Sequence, residues 1–320
     1  MLSICARRPN LLDLSIIIVS WNVADLLEKC IDSILAGRGD LRLEILVVDS
    51  ASSDHTVAML KRRFPQVTLL AQKENVGFTR GNNIGLRVAQ GRHLLLLNPD
   101  TLILGDALPC MVRYMDAHPD VGIVGPHTYE SDGKRTQSTR RRFPTLLIAL
   151  FESTWLQPYA PKGLLDYYYI ANGTAGDETL DVDWVQGSAL MARREVYEAI
   201  GGLDEGYIMY SEELDWCRRA KDAGWRVVFL GDAHIIHHGG KSTEQVAARS
   251  HMHFQQSKLR YFHKYHGWLT AQVLRCFLLL NYLIQFGLES VKFALGHKRP
   301  LRRDRIRAYW QVLRSGLRVT

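Results

Sequence analysis

Asp49 follows the apolar run at residues 45–48. A carboxylate there can accept a hydrogen bond from a base N–H or a ribose hydroxyl, and it can equally cap the helix that follows. Asp100 closes Asn98-Pro99-Asp100 after four leucines. It could bind Mg2+ or Mn2+, which prefer oxygen ligands and keep positions open for diphosphate oxygens, or it could simply shape a turn. Glu212, Glu213 and Asp215 fall within one helical turn. Acids at a helix N-terminus gain ~0.3–1 kcal/mol from the helix dipole. A positioned carboxylate can also take a proton from an attacking hydroxyl, and crowded like charges raise one another's pKa. His237, in the run 237–240, closes a late strand; imidazole binds metals or carries protons. Seven of the twelve histidines lie between 234 and 266, but no H-E-x-x-H pattern or cysteine partner accompanies them, which speaks against zinc. Residues 75–85 hold Gly77, Gly81 and Gly85 where a helix opens. Glycines let the backbone approach a ligand and helix N-termini favour anions, while close helix packing would leave the same pattern.

The elements that must position these groups alternate. Strands are expected at 14–20, 44–48, 67–71, 93–97 and 121–124, with helices at 24–35, 52–64, 82–90 and 106–118 between them. That alternation predicts a parallel, doubly wound sheet, in which ligands bind at the carboxyl edge. Asp49 and Asp100 then share one rim. Residues 126–180 read as loops with a short helix. A strand at 183–191, helices at 194–200 and 211–223, and strands at 226–230 and 233–237 follow, and the pattern is helical from 243 onward.

Composition narrows the class. The chain has 320 residues, 47% hydrophobic, enough for one large core or two modest ones. Five cysteines with no C-x-x-C pair exclude a disulfide framework and fit a reducing compartment. Arg7 and Arg8 precede no apolar signal core, so no secretion signal is expected. The net charge of +7 concentrates at 140–142 and 298–307. Such runs attract phosphate or anionic lipid, or are plain solvated faces. No interleaved aromatic and basic platform supports a nucleic-acid partner. A dinucleotide-binding enzyme would need G-x-G-x-x-G after its first strand, and Ser20-Trp21-Asn22-Val23-Ala24 holds no glycine.

Taken in order, residues 15–22, 47–54, 75–78, 81–83, 98–100, 187–189, 201–204, 210–215, 237–240 and Ser242 resemble the family 2 glycosyltransferases of GT-A fold, in particular the rhamnosyltransferase-like branch. The resemblance covers roughly residues 13–242. It implies a mostly parallel, Rossmann-like sheet flanked by helices in a catalytic domain at 1–242, with a helical extension at 243–320. It implies an inverting transfer of a sugar from a nucleotide-diphosphate sugar, dTDP-rhamnose first and UDP-hexoses next, to a hydroxyl of a glycan or lipid-linked glycan in cell-surface polysaccharide synthesis. Ser20, Asn22, Asp49 and Asp54 would surround the donor's base and ribose. Gly77, Arg80, Gly81 and Asn82 would cover the nucleotide and sugar. Asp100 and His237 would hold Mg2+ or Mn2+, with Asn98 standing where the family's Asp-x-Asp signature has its first aspartate. Glu213 matches the catalytic base, with Glu212 an alternative and Asp215 in support. Trp184, Gln186 and Gly187 would line the acceptor side. A nucleotidyltransferase could use Asp49 and Asp100 without Glu213, and a non-catalytic nucleotide-sugar-binding module is a third reading.

Residues 276–288 carry no charge and are too few to span a bilayer. Val273, Phe277, Leu280, Ile284, Leu288, Val291 and Leu295 share one helical face, opposite Asn281, Gln285, Glu289 and Lys292. This amphipathic helix would pack on the catalytic domain or a second subunit in a homodimer, or dock on an anionic membrane from the cytoplasmic side, aided by the basic run at 298–307.

Overall fold

The computed structural model describes residues 12–152, 154–170, 178–239 and 247–318. Gly240, Ser242 and the start of the C-terminal helical pattern at 243 lie outside them.

The first half of the chain builds β1 (Leu14–Ser20), α1 (Ala24–Gly37), β2 (Leu43–Asp49), α2 (Thr56–Arg63), β3 (Thr68–Leu69), α3 (Phe78–Val88), β4 (His93–Leu97), β5 (Thr101–Ile103), α4 (Ala107–Ala117) and β6 (Val121–Tyr129). The main sheet runs β3-β2-β1-β4-β10-β6-β11-β5, where β10 is Ala189–Arg193 and β11 is Arg226–His237. Pairings of β1 with β2 and β4, β2 with β3, and β6 with β11 are parallel; β10 enters antiparallel between β4 and β6. The sheet is thus mostly parallel and flanked by helices, as expected. Strand β1 is buried along its whole length, which is why its sequence is apolar without alternation. Alternate residues still face opposite layers. Ile17, Leu94 and Leu96 join one core, and Ile16, Ile18, Leu95 and Leu97 the other.

Several expected elements shift. Strand β6 continues to Tyr129 instead of ending at 124. The segment read as loops holds β7 (Arg140–Arg141), α5 (Leu146–Phe151), a 3-10 turn at Gln157–Tyr159, α6 (Leu164–Tyr169) and β8 (Leu180–Val182). The strand expected at 183–191 is split into β9 (Trp184–Val185), which pairs with β7 in a separate small sheet, and β10. Gly125 lets that small sheet lie close over β6, because a Cβ there would stand 2.5 Å from Val185. The two strands expected at 226–237 are one strand with an irregular register between Leu230 and His234. Helix α3 starts four residues earlier than expected, at Phe78.

Helices α7 (Arg194–Ile200) and α8 (Glu212–Asp222) precede β11. Then come α9 (Ala247–Ala294), which breaks at Gly267 (φ 84°), and α10 (Arg299–Ser315) packed along it. Leu259, Phe262, Leu274 and Leu278 of α9 belong to the same apolar cluster as Trp216 and Phe229 of the catalytic part.

Candidate active site

A series of contacts runs along the carboxyl edge of β1, β2 and β4. At β1 and β2, the Ser50 N–H donates to the Ser20 carbonyl at 2.8 Å, and Asn22 Oδ1 accepts from the Ser53 N–H at 2.7 Å. Ser50 Oγ reaches Asn75 Oδ1 at 3.2 Å and accepts from the Val76 N–H at 2.9 Å. Thr79 Oγ1 then donates to the Ile208 carbonyl at 3.4 Å, which brings in the segment leading to α8. At the head of α8, Glu213 lies against Gly187; a Cβ on that glycine would be 3.6 Å from the Glu213 carboxyl carbon. The Ser188 carbonyl next to it accepts from the Asn98 N–H at 2.9 Å. Asp100 follows, with Oδ1 3.3 Å from His237 Nε2. Asp49, Asp100 and Glu213 thereby stand on one edge.

Backbone strain and unmet hydrogen bonds gather there. Asn22 (φ 52°), Ala51 (φ 58°), Tyr210 (φ 69°) and Ser211 (φ 65°) are non-glycine residues in left-handed conformations. Each costs on the order of 1 kcal/mol or more, and such residues cluster at functional sites. Ser20 Oγ, Asp49 Oδ1, Asn98 Oδ1, Glu212 Oε2 and Glu213 Oε2 are buried atoms with no hydrogen-bond partner. A buried polar atom left unpaired costs about 1–3 kcal/mol, so these atoms mark where a ligand's own polar groups fit.

The carboxylates differ in setting. Asp49 Oδ2 accepts from the Ser52 N–H at 3.1 Å, leaving Oδ1 unpaired. Asp100 and His237 are both nearly buried. Gln137 Oε1 lies 3.2 Å from His237 Nδ1, and the Asn98 amide nitrogen 3.2 Å from Nε2. His237 Nε2 thus lies between the Asn98 amide nitrogen and the Asp100 carboxylate, and the orphaned Asn98 Oδ1 adds, beside that carboxylate, a hard oxygen donor of the kind Mg2+ or Mn2+ prefers. Among the described residues, no group of three or more His, Cys, Asp or Glu side chains gathers as a metal cage. Burial pushes the Glu212 carboxyl well up, and the charge of Glu213 adds to it. Burial also raises Glu213, against the opposing pull of its helix-terminal amides and of Arg141. Glu213 is half-buried, whereas Glu212 is buried.

Other expected site residues have different company. Asp215 is fully buried and bonded to Arg219 at 2.8 Å, Lys264 at 2.7 Å and Tyr265 at 2.8 Å, so its carboxylate joins α8 to α9 rather than facing Gly187. Asp54 accepts from Thr56 and from the Ala24 N–H, which draws its pKa below the usual range despite partial burial; it caps α2 and borders the edge without offering a free oxygen. Gly81 and Asn82 lie inside α3, not in a loop over a ligand. A Cβ on Gly81 would stand 2.8 Å from Val19, and Asn82 bonds the Phe78 carbonyl. Gly77 caps α3 with φ 75°, and Arg80 is exposed in its first turn. Trp184 is buried, with its indole N–H on the Arg142 carbonyl, and Gln186 is fixed through its N–H to Thr139.

Two side chains stand out that the sequence reading did not single out. Gln137 orients His237. Arg141, read only as part of a basic run, lies 4.8 Å from the Trp184 ring and 5.3 Å from that of Tyr169, and acts electrostatically on Glu213. Asn83 explains two sequence blocks at once. Its amide pairs with the backbone of Leu203, and a Cβ on Gly202 would strike it at 2.4 Å.

A mostly parallel sheet flanked by helices, with carboxylates at its carboxyl edge, is the architecture of the GT-A fold. Residues 15–199, more than half of the chain, match the family described as "Glycosyl transferase family 2", and the chain belongs to that family. It is 26% identical over 273 residues to an N-acetylglucosaminyl-diphospho-decaprenol L-rhamnosyltransferase of Mycobacterium tuberculosis, covering 81% of this chain and 87% of the relative. It is 27% identical over 271 residues to rhamnosyltransferase WbbL of Escherichia coli strain K12, covering 77% and 91%. Among solved structures, mannosyltransferase PcManGT of Pyrobaculum calidifontis, in complex with GDP-Man and Mn2+, is similar at a TM-score of 0.55 and 19% identity, over 97% of this chain and 86% of that one.

Proposed function

We propose that this glycosyltransferase moves a rhamnosyl group from dTDP-rhamnose to a hydroxyl of a diphosphate-lipid-linked glycan, with inversion at the anomeric carbon. The single observation that supports it most is the series of contacts that runs from the Asp49 segment past the half-buried Glu213 to Asp100 and His237. The substrate follows the relatives' printed activities, of which the mycobacterial one names both the sugar and a diphospho-lipid acceptor.

In this reading Asp49 Oδ1 and Ser20 Oγ receive the donor's base and ribose. Asp100, His237 and Asn98 Oδ1 would hold Mg2+ or Mn2+, which when bound neutralises charge on a leaving diphosphate. Glu213 takes the acceptor proton on its unpaired oxygen as the hydroxyl attacks from the face opposite the leaving group. Burial raises its pKa, which strengthens it as a proton acceptor. Arg141, stacked over the buried Trp184 ring, is the cation that would meet an anionic part of the acceptor.

The test incubates the full chain with dTDP-rhamnose or UDP-hexoses, a synthetic N-acetylglucosaminyl-diphosphate lipid, and Mn2+ or Mg2+. The expected result is transfer from dTDP-rhamnose alone, dependent on metal, with the product anomer inverted by NMR. Consumption of added inorganic diphosphate, with dTTP and rhamnose 1-phosphate formed from the donor, would identify a nucleotidyltransferase instead. Calorimetric donor binding without any product would identify a binding module.

A further inference from the structure

Beyond Gly267, helix α9 turns Ala271, Leu274 and Leu278 into the core, and from Asn281 onward it also turns polar residues toward the protein. Asn281 and Glu289 are buried, Tyr309 donates to Gln285 at 3.1 Å, and Arg302 donates to Glu289 at 2.6 Å with both side chains at most 10% exposed. Other aliphatic residues face outward. Val273, Leu280, Leu283, Leu288, Val291 and Leu295 are each 49–79% exposed. At 1.5 Å per residue the stripe runs about 33 Å. A water-facing helix has the reverse arrangement, and an apolar strip this long and continuous marks an interaction surface.

The charge around the stripe selects its partner. Lys292, Lys298, Arg299, Arg303, Arg305 and Arg307 are exposed at its C-terminal end. From 268 to 318 the only acids are Glu289, bonded to Arg302, and Asp304. A second copy would bring little negative charge to those cations, whereas anionic headgroups complement them. At the other end Trp268 is 64% exposed, a side chain suited to the headgroup boundary. Helix α9 is long and apolar enough to cross a membrane by length and composition, yet only 28% of its most apolar window is buried. Its protein-facing side carries the Glu289–Arg302 pair, and α10 is studded with arginine. Such one-sidedness fits a helix lying in the plane of the interface.

We propose that the outward stripe of α9, together with the basic start of α10, seats the protein flat on an anionic membrane surface. The proposal goes beyond the transfer reaction and needs no turnover. It also connects to the site. Before Gly267, α9 is fastened to the catalytic helix through Lys264 and Tyr265 on Asp215 and through Ser257 Oγ on the Met209 carbonyl at 2.7 Å. Seating α9 therefore fixes the orientation of α8 relative to the bilayer. The same contacts make deletion of the extension a poor test, since α8 would lose its support.

The test floats the full chain with phosphatidylcholine vesicles, with and without phosphatidylglycerol. The protein is expected to rise with the phosphatidylglycerol vesicles and to be released by alkaline carbonate. Leu283→Glu combined with Leu288→Glu should weaken binding by at least about tenfold, as an interfacial helix loses its apolar contact. Arg303→Glu combined with Arg307→Glu should remove the preference for anionic lipid. Both variants change exposed positions and should melt as the parent does. Failure of the parent chain to float would overturn the proposal. So would carbonate-resistant binding, or a dimer in sedimentation that the leucine substitutions dissociate. Flotation is read without substrate, so its outcome and that of the transfer assay stand apart.

Discussion

The two faces of helix α8 carry carboxylates in opposite states. On one face Asp215 is buried and bonded to Arg219, Lys264 and Tyr265. On the other, Glu213 has a buried oxygen without a partner and a pKa raised by burial. The residues are two apart in sequence, and the same helix dipole serves both. What separates them is what stands opposite, the basic and phenolic side chains of α9 in one case and the backbone of Gly187 in the other. A saturated carboxylate holds structure, and an unsatisfied one can accept a proton.

Stability measurements should split the two faces most widely. Asp215→Asn breaks a buried ion network and should destabilise the protein by about 3 kcal/mol, measured by urea unfolding. Glu213→Gln removes a buried, unpaired acid and should leave stability unchanged or raise it. Equal losses at both positions would erase the distinction. Glu212→Gln sharpens it through pH. The folded state binds the Glu212 proton more tightly than the unfolded chain, so this group's stabilising contribution is full below its ordinary value near 4.5 and is lost as pH rises through the raised folded value. The variant should therefore gain stability over the parent at neutral pH and not at pH 4. The smallest effect is expected from Tyr265→Phe, about 1 kcal/mol for one hydrogen bond to a charged group that keeps its other partners, with unchanged affinity for donor.

Much of the first half of the molecule was legible in the sequence because β1, β2 and β4 are largely apolar runs closed by a polar residue. The strand-end positions of Asp49 and Asp100 were readable from that pattern, whereas the roles proposed for them came only from the family resemblance. The helix start at Phe78 was not readable, since its glycines suggested a loop, and they serve instead to bring α3 against Val19 and Ile17 of β1. The other half was less legible. Its strands β7 and β9 are two residues each, too short for any periodicity, so Arg141 and Gln137 gave no signal. Periodicity located the amphipathic helix at 273–295 correctly but could not say which face turns inward. That depended on Tyr309 and Arg302 of α10, which pair with its polar side.

The most direct test of the account is the pairing of donor affinity and turnover in Glu213→Gln. Calorimetry with dTDP-rhamnose and Mn2+ should give binding close to the parent's, while transfer to the lipid-linked acceptor falls by roughly 10²–10⁴-fold. Near-normal turnover, or loss of donor binding together with turnover, would contradict the assignment of Glu213 as the base.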